Sequence, residues 1–121
     1  MSQPRRYGLD PQTWQDAKAE VRAILIETAR QRQLITYGQI TERLQCLHAH
    51  PGSYVFTALL REVCADVERE GGGMVCALVV TKADGRPGAG YWRGMPCPQG
   101  DLEACWRAEC EVVWDIWSKN P

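Results

Sequence analysis

The sequence predicts an α+β fold of the winged helix-turn-helix type, with three helices, a small antiparallel sheet and an added C-terminal helix. Four segments repeat apolar residues at helical spacing, at about residues 11–32, 36–44, 53–70 and 101–118. One continuous apolar run, 74–81, is too short and too rich in β-branched residues for a helix. The resulting order of helices and strands is that of a winged helix.

Each predicted helix begins after a residue whose side-chain oxygen can accept hydrogen bonds from the first turn. Thr36 and Gln39 have the spacing of a capping box, in which the hydroxyl caps the third residue and the glutamine reaches back. Gly71–Gly73 is predicted to stop the third helix. The other caps are Asp10 (followed by Pro11), Ser53 and Asp101.

The apolar run 74–81 is predicted to form a strand that is buried on both faces. Asp84–Gly85 to Gly90 would then be a hairpin loop, a wing, and Tyr91–Trp92 would begin the return strand. Leu34–Ile35 would complete the sheet beside this hairpin.

Length and composition indicate one domain over residues 1–121, with residues 1–9 as a flexible arm. Fourteen basic residues against fifteen acidic ones give a net charge of -1, so nucleic-acid binding requires a local basic patch. No apolar run approaches the roughly 20 residues of a membrane span, and the first residues lack the apolar core of a signal peptide. We therefore expect a cytoplasmic protein with no membrane partner.

The six cysteines mostly have apolar neighbours, and their spacing differs from that of a small secreted scaffold. We therefore predict reduced thiols. Cys46, His48 and His50 alternate like metal ligands only in an extended segment, and no second ligand pair follows at zinc-finger spacing. This segment is interpreted as a solvated loop, and no metal or cofactor is expected.

A pattern in the last two thirds of the chain consists of a leucine-rich helix, an apolar strand, a Pro-Gly-x-Gly-aromatic turn and a tryptophan-containing final helix. Its residues are Leu59–Leu60, Val75–Val80, Pro87–Tyr91, and Trp106 with Trp117. This pattern resembles a family of small uncharacterised bacterial proteins that are often carried on mobile genetic elements and integron gene cassettes. The resemblance implies no known activity. That family usually has serine where this chain has Cys76.

Ile35–Ile40, Val79–Val80 and Asp84–Gly85 carry a looser resemblance, to the alkyltransferase family that repairs O6-alkylguanine in DNA. The C-terminal domain of that family is winged-helix-like, and Ile35–Ile40 resembles the start of its DNA-facing helix. Cys76 falls at the position of its nucleophile, within a Pro-Cys-His-Arg motif.

This chain departs from the alkyltransferase motif around Cys76. Val75, Ala77 and Leu78 replace the Pro, His and Arg, and Ser53 stands where an intercalating arginine is expected. A nucleophilic thiol needs a neighbouring base or cation, and apolar burial raises its pKa. We therefore predict that Cys76 is an inert packing residue, that no residue is catalytic and that the protein is not an enzyme.

The candidate nucleic-acid contacts lie at the starts of the second and third helices and on the wing. The third helix is net negative, with Arg61 and Arg69 against four acidic residues, but its first turn is uncharged and bears hydroxyls. In helix-turn-helix docking this N-terminal end enters the groove, while basic wing residues contact phosphates. The candidates are Tyr37, Gln39, Ser53, Tyr54, Thr57, Lys82, Arg86 and Arg93, with Arg5 and Arg6 as an added arm.

Five tryptophans are many for this length, and they suggest an interface. Trp14, Trp106 and Trp117 fit the apolar faces of helices, whereas Trp92 and Trp114 are harder to place inside and are the interface candidates. From the predicted fold and the charge of the wing, the leading hypothesis is non-enzymatic nucleic-acid binding or regulation, with duplex DNA as the partner. The alternative is a homodimer or an adaptor for a protein partner, and the third is an alkyltransferase-like DNA repair protein.

Overall fold

The computed structural model describes residues 7–94, 97–98 and 100–119 and has an α+β fold, as predicted. Over these residues, five α-helices, one 3₁₀ turn and two very short strands follow one another. In order they are α1 (Pro11–Arg30), β1 (Ile35–Thr36), α2 (Tyr37–Arg43), α3 (Tyr54–Arg69), the 3₁₀ turn (Val75–Leu78), β2 (Val79–Val80), α4 (Ala89–Gly94) and α5 (Leu102–Ser118).

The predicted N-terminal caps of α1, α2, α3 and α5 are confirmed. The Asp10 carboxylate accepts from the backbone N–H of Gln12 at 2.8 Å, and Thr36 and Gln39 form the complete capping box. These bonds join residues two or three positions apart, so they depend on the local sequence alone. Ser53 and Asp101 cap α3 and α5 in the same way.

The two strands pair in parallel, Ile35 with Val79 and Thr36 with Val80, so the predicted antiparallel sheet is wrong. The chain passes through α2, α3 and the 3₁₀ turn between the strands, and parallel pairing requires such a long connection. The winged-helix assignment depends on an antiparallel wing and is not confirmed.

Only Val79 and Val80 of the predicted strand 74–81 are extended. Residues three apart share a face in a 3₁₀ turn, so Val75 and Leu78 both enter the core while Cys76 bonds to α3. A fully apolar run has no periodicity, and its pattern therefore does not distinguish a buried strand from a buried turn.

A closed turn and a short helix over residues 81–94 replace the predicted hairpin wing. The backbone N–H of Thr81 donates to the carbonyl of Arg86 at 2.8 Å. The Asp84 carboxylate accepts from the backbone N–H of Arg86 at 3.0 Å and also bonds the Thr81 hydroxyl. These bonds hold the pKa of Asp84 below its ordinary value, the Thr81 hydroxyl contributing most.

Tyr91 and Trp92, which were predicted to begin the return strand, lie in α4. The indole N–H of Trp92 donates to the carbonyl of Pro87 at 2.9 Å, and its ring lies 6.2 Å from that of Trp106. This packing against α5 favours a helix, because a helix that begins shortly after Pro87 directs the Trp92 indole toward α5.

The core lies between α1, α3, α5 and the 3₁₀ turn. The indole N–H of Trp106 donates to the buried carbonyl of Ala77 at 2.7 Å, and Cys110 and Val113 continue the buried stripe of α5. Leu102 is 45% exposed. It is the first residue of α5, and the burial of the helix begins one turn later.

Four of the six cysteines are paired, which corrects the prediction of reduced thiols. The pairs are Cys64–Cys76 and Cys97–Cys105, and the remaining thiols are Cys46 and Cys110. The fold brings the Cα atoms of Cys64 and Cys76 to 5.7 Å, a separation that suits a disulfide and that sequence spacing does not reveal. Disulfides are typical of oxidising compartments, so this pairing removes one reason for the cytoplasmic assignment, which stays a prediction.

Among the helices of the described residues, none combines the length and apolarity that are needed to cross a bilayer.

Candidate nucleic-acid interface

A cavity of about 520 Å³ lies between α2, α3 and the segment 74–91. Its volume is within the range of small-molecule sites, about 300–1,000 Å³. Most of its lining is apolar, and Arg61 and Glu68 of α3 are its charged residues. The lining residues are Tyr37, Pro51, Gly52, Thr57, Leu60, Arg61, Cys64, Ala65, Glu68, Met74, Cys76, Val79, Gly90 and Tyr91.

Tyr37 and Tyr91 supply aromatic rings to this cavity from two different helices. Tyr37 is the first residue of α2, and its hydroxyl accepts a long bond, 3.4 Å, from the backbone N–H of Gly88. A Cβ atom at Gly88 would lie 3.0 Å from that hydroxyl, so this close approach favours glycine. The bond from Gly88 thereby links segment 88–91 to α2.

Burial raises the pKa of the Tyr91 phenol well above its ordinary value, with smaller contributions from Glu109 and Cys110. The buried phenol oxygen has no hydrogen-bond partner among the described residues. Tyr91 is therefore a neutral phenol at physiological pH, and it presents an uncharged ring to the cavity.

A second, exposed aromatic surface lies at the start of α3. It consists of Tyr7 and Tyr54 and is called the aromatic shelf. Tyr54 is 77% exposed, and its ring meets that of Tyr7 edge-on at 5.5 Å. Tyr7 in turn stacks on Trp14 of α1 at 5.6 Å. Residues 1–6 of the predicted arm, with Arg5 and Arg6, lie outside the described residues.

Thr57 and Arg61 line both the cavity and a second, smaller pocket that Tyr7 and Tyr54 also line. They are four residues apart on α3 and therefore share one helical face. Thr57 was predicted as a nucleic-acid contact, whereas Arg61 was not. The i, i+4 spacing from Thr57 is the sequence signal that would have identified Arg61.

The negative charge of α3 is largely engaged by α1. Lys18 pairs with Glu62 at 3.1 Å and with Asp66 at 2.7 Å, and Arg22 pairs with Glu70 at 2.6 Å. The hydrogen bond from Lys18 is the main reason that the pKa of Asp66 lies below its ordinary value. The charge count of α3 alone therefore overstates its repulsion of an anion at the opposite face.

Two predicted nucleic-acid contacts have side chains that cap helices. The Gln39 side-chain carbonyl accepts from the backbone N–H of Thr36 at 2.9 Å. The Ser53 hydroxyl accepts from the backbone N–H of Phe56 at 3.2 Å. These bonds orient both side chains toward their own helix ends, whereas Tyr54 and Thr57 remain exposed.

The three basic residues assigned to the wing do not line the cavity. Arg86 bonds Glu103 at the start of α5 at 3.0 Å, which compensates its charge. Lys82 and Arg93 are exposed, in the closed turn and at the end of α4 respectively. Their predicted phosphate contacts remain predictions.

The two tryptophan interface candidates are half-buried and hydrogen-bonded within the chain. The indole N–H of Trp114 donates to the carbonyl of Gln33 at 3.0 Å, and the Arg32 guanidinium lies 5.7 Å from the ring centroid. Trp92 bonds Pro87, as described above. Trp114 thus lies at the margin of the core, as expected, and the interface role of both residues remains a prediction.

Over the residues that the structure describes, no three potential ligands come together in a metal-binding group. In the Cys46–His50 segment, the Nδ1 atom of His50 accepts from the backbone N–H of Gly52 at 3.0 Å. Glu20 accepts from the backbone N–H groups of Gln45 and Cys46, at 2.8 and 2.9 Å. This segment is therefore held by α1.

Comparison with known proteins found no matching family model, no similar curated protein and no similar solved structure.

Proposed function

We propose that this protein binds nucleic acid without catalysis, through the exposed face of α3, and that the cavity receives one unstacked base. The observation that carries this proposal is the cavity itself, which opens beside Thr57 and Arg61 and presents the rings of Tyr37 and Tyr91. Proteins that read an extruded base hold it between aromatic or apolar side chains in such a pocket.

The backbone of the nucleic acid would contact the surface beside the cavity. Arg61 supplies a phosphate contact at the mouth, and Tyr54 offers an exposed ring on which a neighbouring base can stack. Lys82 and Arg93 are further phosphate contacts in this proposal. Because α1 engages much of the acidic charge of α3, the approach of a polyanion to this face costs less than the net charge suggests.

The resemblance to alkyltransferases agrees with a base in this cavity, since the position of their reactive cysteine, Cys76, lines it. Here the sulfur of Cys76 is bonded to Cys64 and is not a thiol. A disulfide sulfur has no thiolate with which to accept an alkyl group. We therefore favour recognition over repair.

The proposal can be tested with a DNA duplex that carries 2-aminopurine at a mismatched, easily extruded position. Binding is followed by anisotropy, and extrusion by the rise in 2-aminopurine fluorescence when the base leaves the stack. Arg61→Ala should weaken binding and make the salt dependence shallower by about one phosphate contact, a slope change of about 0.9. Arg30→Ala is the matched control, an exposed arginine on α1 away from the cavity.

Gly90→Leu tests the cavity separately from the surface. Gly90 lines the cavity and has open space around its Cβ position, so leucine fits there without a clash and adds a side chain at the edge of the cavity. This variant should retain duplex binding and lose the 2-aminopurine signal, whereas Ala89→Leu, its exposed neighbour on α4, should retain both. A wild-type protein without salt-dependent duplex binding would refute the proposal, and an unchanged signal in Gly90→Leu would refute the base pocket.

A further inference from the structure

Both sulfur-bearing residues of one disulfide, Cys64 and Cys76, line the cavity. Cys64 belongs to α3 and is 8% exposed, whereas Cys76 belongs to the 3₁₀ turn and is half-buried. The second disulfide, Cys97–Cys105, does not line this cavity. The first disulfide is thus placed where a small molecule that enters the cavity would meet it.

We propose that the Cys64–Cys76 disulfide is a thiol-exchange site, that low-molecular-weight thiols open it from within the cavity, and that opening it weakens base binding. The chemical class of its substrate is a thiol of the size of glutathione, which the cavity volume of about 520 Å³ accommodates. The effect on base binding rests on the proposed function, whereas the exchange chemistry does not.

The disulfide is opened by two successive thiol–disulfide exchange steps. A thiolate from the small molecule attacks the sulfur of Cys76, the more exposed partner, and forms a mixed disulfide. The bond between the two protein sulfurs breaks, and Cys64 leaves as a thiolate that takes up a proton. A second small thiolate then attacks the mixed disulfide at the small-molecule sulfur and releases the Cys76 thiol together with the oxidised small molecule.

The two other thiols of the chain are poor competitors in this exchange. Burial is the main cause that raises the pKa of Cys110 to about 11, and partial desolvation, with the Glu20 carboxylate adding to it, raises that of the exposed Cys46 to about 11 as well. Exchange requires the thiolate form, which is scarce at neutral pH for such a pKa. Reshuffling within the protein is therefore slow, and the reagent that opens the disulfide comes from outside.

Reduction narrows the cavity because the two sulfurs must separate. Bonded sulfurs lie about 2.05 Å apart, whereas non-bonded heavy atoms need about 3.5–4.0 Å. Val75, Ala77 and Leu78 are fully buried, so the backbone of the 3₁₀ turn is fixed by the core. The thiols therefore gain their separation by side-chain rotation toward the cavity, which is the side that the core does not fill.

The exchange is tested on the oxidised, folded protein with graded ratios of reduced to oxidised glutathione. Acid quenching, alkylation and peptide mass spectrometry then report each cysteine. We expect Cys64 and Cys76 to open while circular dichroism stays native, and Cys64→Ser to accumulate glutathione on Cys76. Gly90→Leu, which adds a side chain at the edge of the cavity, should slow the opening about tenfold, which corresponds to about 1.4 kcal/mol.

The control for entry through the cavity is Ala89→Leu, in which the Cys64–Cys76 disulfide should open at the wild-type rate. Equal rates in Gly90→Leu and Ala89→Leu would overturn entry through the cavity. Opening of Cys64–Cys76 only when the protein unfolds would overturn the exchange site altogether.

Control of base binding is tested with the 2-aminopurine duplex on oxidised and reduced protein. Both states are prepared in a background with Cys97→Ser and Cys105→Ser, so that only one disulfide changes. Reduced protein should bind the extruded base about three- to tenfold more weakly, the effect of losing a few van der Waals contacts. Equal, measurable affinities of the two states would refute only the effect of the disulfide on base binding. Binding in neither state would also refute the proposed function, and the mass spectra would then decide the exchange.

Discussion

Replacement of Trp106 by phenylalanine tests the packing of α5 on the 3₁₀ turn. The substitution removes the indole N–H that donates to the buried carbonyl of Ala77 at 2.7 Å. A buried acceptor that loses its partner costs about 1–3 kcal/mol. The smaller ring leaves a void of roughly 40 Å³, which adds about 1 kcal/mol at about 24 cal/mol per Å³.

The Cys110 thiol also lies 3.6 Å from the Ala77 carbonyl and retains part of the hydrogen bonding. We therefore expect Trp106→Phe to lower the free energy of unfolding by about 2–3 kcal/mol. In urea, followed by circular dichroism, the midpoint should fall by about 1–3 M for an m-value of about 1–2 kcal/mol/M.

Trp117→Phe is the matched control on the same helix. Its indole N–H donates to the carbonyl of Gly72 at 2.9 Å, but this bond is only partly buried. Water can replace the lost donor there, so the expected loss is about 1 kcal/mol. Equal losses in the two variants would refute the argument that burial of the Ala77 carbonyl sets the cost.

Three further predictions concern stability and association. Lys18 depresses the pKa of Asp66, so this pair stabilises the fold above the unfolded-state pKa of about 3.9 and less as pH falls further. Asp66→Asn should thus cost about 1 kcal/mol at pH 7, and the difference from wild type should shrink below about pH 4 in urea titrations. Gly72→Ala places a Cβ atom 2.7 Å from the Trp117 ring and should lower stability by about 1–3 kcal/mol in thermal melts. Trp114→Ala should leave the circular dichroism spectrum native and weaken self-association in sedimentation velocity, and a wild-type protein that stays monomeric at high concentration would contradict the interface role.

The helices were predictable because their signals are local. Asp10, Thr36, Ser53 and Asp101 each bond an amide within three residues, so the sequence contains both partners. The strand direction and the helix at 89–94 were not predictable in this way. They depend on contacts between distant residues, such as the indole of Trp92 against that of Trp106.

In the candidate site, too, the residues with local sequence signals were predicted and those placed by long-range contacts were not. Tyr37 and Thr57 were identified from their positions at helix starts, and both line the cavity. The opposite wall, with Tyr91 and Met74, comes from a segment predicted to be a sheet and a wing. The Cys64–Cys76 bond was missed because free and bonded cysteines have the same apolar neighbours in sequence.

The parallel pairing of Ile35 with Val79 has a consequence for the synthesis of the chain. Because these partners are separated by α2 and α3, the first strand leaves the ribosome long before its partner does. Trp106 and Cys110, which bond the Ala77 carbonyl in the 3₁₀ turn, emerge later still. The nascent chain therefore exposes the inner faces of α1 and α3 until α5 has left the ribosome and packed on them. Chaperone binding should be strongest during that interval.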